Sequence, residues 1–211
     1  MTESRPLSQT SFLTSDTLIK LPSHKFWRQT FLLDELLSIL LWSVTRISYD
    51  VKCLIDGAKG RAIQPSGGWA YGTLRLLPIL GFKVRAEDIH LQIDCLTWQA
   101  PTLVLPDSAV IQSDINLICR EPRQVGALLR ELKEELQSAC TETTDLIQPS
   151  RLGFPQIEFL EPGKEWKHAE MRLDLEMSFM PHKIVSENGQ IHASMSRPLN
   201  NQEIVFDDFQ D

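Results

Sequence analysis

The sequence predicts an α+β domain: a mainly antiparallel β-sheet with helices packed on one face. Three observations lead there. Ala169 to Phe179 alternates strictly, with Met171, Leu173, Leu175, Met177 and Phe179 apolar against Arg172, Asp174, Glu176 and Ser178, the period of two of a strand with one buried face. Val125, Leu128, Leu129, Leu132 and Leu136 form a single apolar stripe at helical spacing. The element order of helix, strands, helix and hairpin, without an internal repeat, belongs to a sheet closed on one side by helices.

Taken in chain order, residues 1–28 are rich in Ser and Thr, carry Pro6 and Pro22, and read as an N-terminal arm outside the core. Leu32, Leu33, Leu36, Leu37, Leu40, Leu41 and Val44 then recur at three- and four-residue steps, a buried helix continuing toward Tyr49 until the chain loosens at Asp56, Gly57 and Gly60. Ile63 to Arg75 joins a Pro-Ser-Gly-Gly turn to a strand that sets Trp69, Tyr71 and Thr73 on one face. Ile89 to Cys95 alternates with His90, Gln92 and Asp94 on the wet side. After a connection punctuated by Pro101 and Pro106, Ser113 to Cys119 alternates again, with Ile115, Leu117 and Cys119 together.

Glu121-Pro122 ends that strand and opens the striped helix, Pro122 falling near the first turn, where its missing amide hydrogen costs nothing. Arg130 and Glu134 stand four apart on it, a spacing worth about 0.2–0.5 kcal/mol when paired. Thr141 to Pro155 is polar and broken by Pro149, Gly153 and Pro155. Gln156 to Leu160 and the long alternating run flank Glu161-Pro162-Gly163-Lys164, a hairpin signal. Residues 186–200 read as a loop or short extra hairpin, and Glu203 to Asp211, which still holds Ile204, Val205, Phe206 and Phe209, as a solvated acidic tail or as a peptide that docks onto a neighbouring subunit. The chain thus divides into an arm over 1–28, a domain over 29–185 and an acidic C-terminal arm over 186–211.

Composition narrows the function classes. Among 211 residues, 21 Lys and Arg stand against 28 Asp and Glu, a net charge of −7, which disfavours a protein that binds nucleic acid by displacing phosphate counterions. The run from Phe31 to Val44 contains Asp34 and Glu35 and is shorter than the roughly 20 apolar residues of a membrane span. It also lacks a signal-peptide cleavage pattern, so the expected product is soluble and intracellular when made. Cys53, Cys95, Cys119 and Cys140 form no CxxC pair and read as reduced thiols. His24, His90, His168, His182 and His192 show no metal-ligand spacing.

No phosphate-loop, dinucleotide or nucleophile-elbow motif is present; Gly67-Gly68 is an isolated turn. Glu134-Glu135 and Asp207-Asp208 are adjacent pairs with the character of solvated surface. His90, Asp94, His168 and Cys95 assemble into a catalytic group only on paper, because strand periodicity turns His90 and Asp94 away from Cys95. The expectation is therefore a non-enzyme with no catalytic, cofactor-binding or metal-binding residues and no cofactor. Trp69 and Tyr71 suit a core or an interface better than a stacked ligand, and Trp98 and Trp166, near strand ends, suit loop anchors or partner contacts.

The succession of the helix near Leu36, the QPSGGWAYGTLRLL segment, two central strands, the helix RQVGALLRELKEEL and the closing AEMRLDLEMSF strand resembles the tail-terminator or neck-terminator proteins of long-tailed bacteriophages over roughly residues 30–182. Pro65 to Tyr71, with Thr73 and Leu74 just after, matches the segment by which that family enters its sheet, and Arg172, Leu173, Asp174 and Leu175 match its closing strand. The resemblance implies a structural virion protein: a ring, typically a hexamer, that caps the head-proximal end of the tail tube. It would join the tube to the head-side connector, assembling in the host cytoplasm, while genomic DNA passes through the lumen without specific binding and no membrane is involved. The N- and C-terminal arms depart from the shorter members of the family. A different class remains alongside it, a soluble intracellular binding protein or accessory protein of a ribonucleoprotein complex that contacts a ligand or RNA through Trp69, Tyr71 and the cations Arg75, Lys83 and Arg85.

Overall fold

A computed structural model describes residues 13–22, 28–65, 67–84, 89–149, 153–185 and 191–193, for 183–185 and 191–193 the backbone alone. The architecture is α+β, and every strand pairing is antiparallel. Its centre is the pairing of two 15-residue strands, β4 (Ala70–Val84) and β9 (Lys167–Pro181). Thirteen consecutive residue pairs run from Gly72↔Pro181 to Val84↔Ala169. On the far edge of β4 lie β3 (Ala58–Ile63) at one end and β5 (Ile89–Asp94) at the other. Beyond β3 come β6 (Val110–Gln112) and β7 (Arg123–Gln124). On the other side, β9 is followed by β8 (Gln156–Leu160), β1 (Leu18–Lys20) and β2 (Thr30–Leu32). A separate two-stranded ribbon, β10 (Lys183–Val185) with β11 (Ile191–Ala193), follows at once.

The alternation of β9 and the register together build one apolar face: Leu74, Leu76, Leu80, Phe82 and Val84 of β4 oppose Phe179, Met177, Leu173, Met171 and Ala169. Helices α1 (Leu33–Thr45), α2 (Tyr49–Asp56) and α3 (Val125–Ala139) bury their stripes in the same core cluster. The expected stripe of α3 is buried in full. The short α4 (Thr144–Ile147) adds Leu146.

Pro78 interrupts neither neighbour of β4. Its carbonyl accepts from Cys95 N at 2.8 Å, so its missing amide hydrogen points to the gap between β3 and β5, where no strand asks for a donor.

Several elements differ from the reading of the sequence. The N-terminal stretch is not wholly an arm: β1 lies between β2 and β8, Ile19 is 0% exposed, and Leu21 and Thr17 are buried. Three residues between Ser, Thr and Pro show no period, and the burial comes from pairing with Phe159 and Phe31 across the sheet. Residues 1–12 and 23–27 of the expected arm, and 186–190 and 194–211 of the C-terminal one, lie outside the described residues. Ile19→Ala should cost about 2–4 kcal/mol in urea unfolding, whereas a detachable arm would leave the midpoint unchanged.

The first helix does not run on to Tyr49. It ends at Thr45, and Ser48 starts α2 by accepting Val51 N at 3.2 Å. Gly57 at φ +104° ends α2 where the sequence loosens.

Ser113 to Cys119 is not a strand. It leaves β6 for a turn and a short 3-10 helix over Leu117–Cys119. Ser113 Oγ donates to the Lys59 carbonyl at 2.6 Å, and Asn116 donates to the Asp50 carbonyl at 2.9 Å while accepting from Ile118 N. These side chains offer the backbone partners that a ladder would have supplied.

Pro122 precedes β7 and not the first helical turn, since α3 begins at Val125. Next to it Arg123 forms an ion pair with Glu131 of α3, and farther along the helix Lys133 pairs with Asp174 of β9. The Pro162-Gly163 turn is as expected: Lys164 N donates to the Glu161 carbonyl at 3.0 Å, with Gly163 at φ +75°, the positive φ a type II turn demands after proline.

Candidate functional surface

The second face of the β4–β9 pair carries the residues of most functional interest. Because side chains alternate, Tyr71, Thr73, Arg75, Leu77, Ile79, Gly81 and Lys83 point away from the core cluster. Leu77 and Ile79 are buried there nonetheless. The loop after β5 folds over them, so that Thr97, Gln99, Ala100 and Pro101 share a cavity of about 200 Å³ with Leu77. That loop is fixed to the edge of β9 by Leu105 N on the Met177 carbonyl at 2.7 Å and Phe179 N on the Leu103 carbonyl at 3.0 Å.

Its anchor is an ion pair whose carboxylate is buried. Arg75 Nη2 lies 2.9 Å from Asp94 Oδ2, with side-chain exposures of 23% and 4%. Asp94 also accepts from Leu96 N at 2.9 Å and Thr97 Oγ1 at 2.7 Å. Arg75 Nε donates to the Ile55 carbonyl at 3.1 Å, one of the last carbonyls of α2. The aspartate thus holds the start of the loop, and the arginine bridges the gap between β3 and β5 to a helix end. Cys95 faces the opposite way into the core, and His168 lies in register with Glu158 on the far side of β9. His90, Asp94, His168 and Cys95 are therefore not brought together.

Beyond the loop the face opens into an apolar strip. Tyr71, Met180, Leu103 and Ile115 are 50%, 57%, 60% and 68% exposed. Their grouping follows from register: Thr73 sits opposite Met180, Thr73 Oγ1 is 3.1 Å from His182 Nε2, and His182 N donates to the Tyr71 carbonyl at 2.9 Å. Thr73, Leu103 and Met180 line one shallow cavity, while Tyr71, His182, Ile115, Lys59, Arg61 and Asp114 line its neighbour of about 280 Å³. Arg61 pairs directly across from Tyr71, packs its guanidinium 4.8 Å from the Trp69 ring centre and donates to Gln112 Oε1, a cation–π contact that braces the turn. Tyr71 and Thr73 were legible as one face; Met180, Leu103 and Ile115 join them only through long-range pairing. Leu103 and Trp98, at φ +55° and +64°, adopt a backbone that non-glycine residues rarely take.

Arg75, the central cation of the ribonucleoprotein reading, is already engaged by Asp94 and Ile55, and Arg85 lies outside the described residues.

The cysteines sort by depth: Cys95, Cys119 and Cys140 are buried, Cys53 is half-buried, and all four are free thiols. Burial pushes the Cys95 thiol from an ordinary 9.0 up to about 12, aided by the neighbouring Asp94 charge, and Cys119 up to about 11. The unfolded chain loses these protons first as pH rises, so stability should fall from about pH 9 upward. At pH 8 a disulfide reagent should modify Cys53 first, with Cys95 and Cys119 reacting only on unfolding; mass spectrometry of the labelled peptides checks the order.

No protein-family model matches the chain, nor does any curated protein or solved structure.

Proposed function

We propose that this chain is a structural virion protein of the tail-terminator or neck kind, assembling as a hexameric ring. The ring caps the head-proximal end of a phage tail tube and joins it to the head-side connector. The observation that carries the reading is the exposed apolar strip of Tyr71, Leu103, Ile115 and Met180 on the face of the sheet opposite the core cluster. A ring requires two different surfaces on each copy. The strip serves as one, and the terminal strands β2 and β7 offer backbone edges as others. The ordered resemblance of residues 30–182 to terminators supplies the identity of the assembly.

The charge fits passage of DNA. Six copies at −7 each bring about −42 to the ring, and acids facing a lumen repel phosphate.

Light scattering and negative-stain microscopy of the purified protein with isolated tail tubes test the proposal. Capped tube ends or free rings are the expected result; a chain that remains monomeric and binds neither tubes nor connector overturns it. Met180→Glu should change unfolding free energy by less than about 0.5 kcal/mol, as surface substitutions do, yet abolish capping by placing a charge in the strip.

A further inference from the structure

We infer that the acidic C-terminal segment, Glu203 to Asp211, docks in its own copy on the strip formed by Tyr71, Met180, Leu103 and Ile115, covering it until a partner displaces the segment. Chain continuity puts the segment within reach. His182 belongs to the strip, Lys183 follows it, and Lys183 pairs with Ala193 at the end of the ribbon. Nine residues, 194–202, then lead to the segment, and at about 3.3 Å each they extend up to ~30 Å, ample for return to an adjoining surface.

Chemistry matches at both ends. Ile204, Val205, Phe206 and Phe209 supply apolar side chains to a strip whose own are half or more exposed, and a contiguous exposed apolar patch marks an interaction site. Glu203, Asp207, Asp208 and Asp211 come with no cation of their own. The strip is bordered by exposed Lys59 and by Arg61, with Asp114 the one carboxylate among the described residues lining the same cavity. A segment tethered a few residues away binds at high effective concentration, so weak contacts suffice. The docking does not depend on the assembly reading, and its test uses no tail tubes.

Hydroxyl-radical footprinting of Tyr71 and Met180, read by mass spectrometry, compares the full chain with one ending at Asn201. Both side chains should oxidise several-fold faster in the shortened chain, and a synthetic peptide of residues 203–211 should restore protection. Lys59→Glu in the full chain, or high salt that screens the charges, should also raise oxidation. A photo-crosslinker replacing Phe206 in the full chain should capture residues of the strip within one copy at low concentration. Equal oxidation in the two chains, failure of the peptide to protect, or crosslinks formed only between copies would overturn the inference.

Discussion

Asp94→Ala should lower unfolding free energy by about 3–5 kcal/mol, the usual penalty for removing one partner of a buried ion pair, and urea denaturation should read it as a lower midpoint at unchanged slope. The size follows from what the carboxylate does. It is 4% exposed, and it accepts from Arg75, from the Leu96 amide and from Thr97. Its loss leaves those donors, one of them charged, without an acceptor in a region that the loop keeps from water. Asp94→Asn retains the shape and one acceptor oxygen and should cost less. Arg75→Met in the Asp94→Asn background should cost less than the two single changes added together, because the second change removes the charge that the first left unpaired. The loop carrying Leu103 is anchored by the same pair, so on the proposed tail-terminator reading the destabilised variant should also lose tube binding before it unfolds. A change within about 0.5 kcal/mol for Asp94→Ala would mean that the loop rests on packing alone.

The parts of the fold that could be read from sequence are those where burial has a period. β9 shows one buried and one wet face over its length, and α3 shows one stripe; both lie as their patterns require. β4 is different. Leu76 to Leu80 is buried on both faces, the core on one side and the loop after β5 on the other, so its sequence is a continuous apolar run with no alternation to follow. β1 is too short to show a period, and Ile19 is buried only because β8 and β2 flank it. Ser113 to Cys119 alternates convincingly but to no effect, since Ile115 and Leu117 are both exposed while Ser113 and Asn116 are buried through hydrogen bonds. The strip was legible only as Tyr71 and Thr73. Its other members come from places 30 to 110 residues away along the chain, and the register that gathers them is a property of pairing, not of local pattern.

That register is itself open to test at Gly72. A Cβ built there would lie 2.3 Å from the Met180 carbonyl oxygen and 2.7 Å from two ring carbons of Phe179. The ring has some freedom to turn, but the carbonyl belongs to the backbone of β9 and cannot swing aside alone. Gly72→Ala should therefore destabilise at or above the upper end of the 1–3 kcal/mol typical of overpacking. Gly67→Ala is the matched control: its Cβ would find only the Gln64 carbonyl oxygen at 3.4 Å, so its effect should stay within about 0.5 kcal/mol. Beyond stability, relief of the clash requires the end of β9 to move away from β4, which separates Met180 from Thr73 and the His182 amide from the Tyr71 carbonyl. If the chain caps tail tubes as proposed, Gly72→Ala should then impair that capping even at temperatures where the chain remains folded. Full capping with a lowered melting temperature would instead place the assembly contact on a terminal strand of the sheet, β2 or β7, and not on the strip.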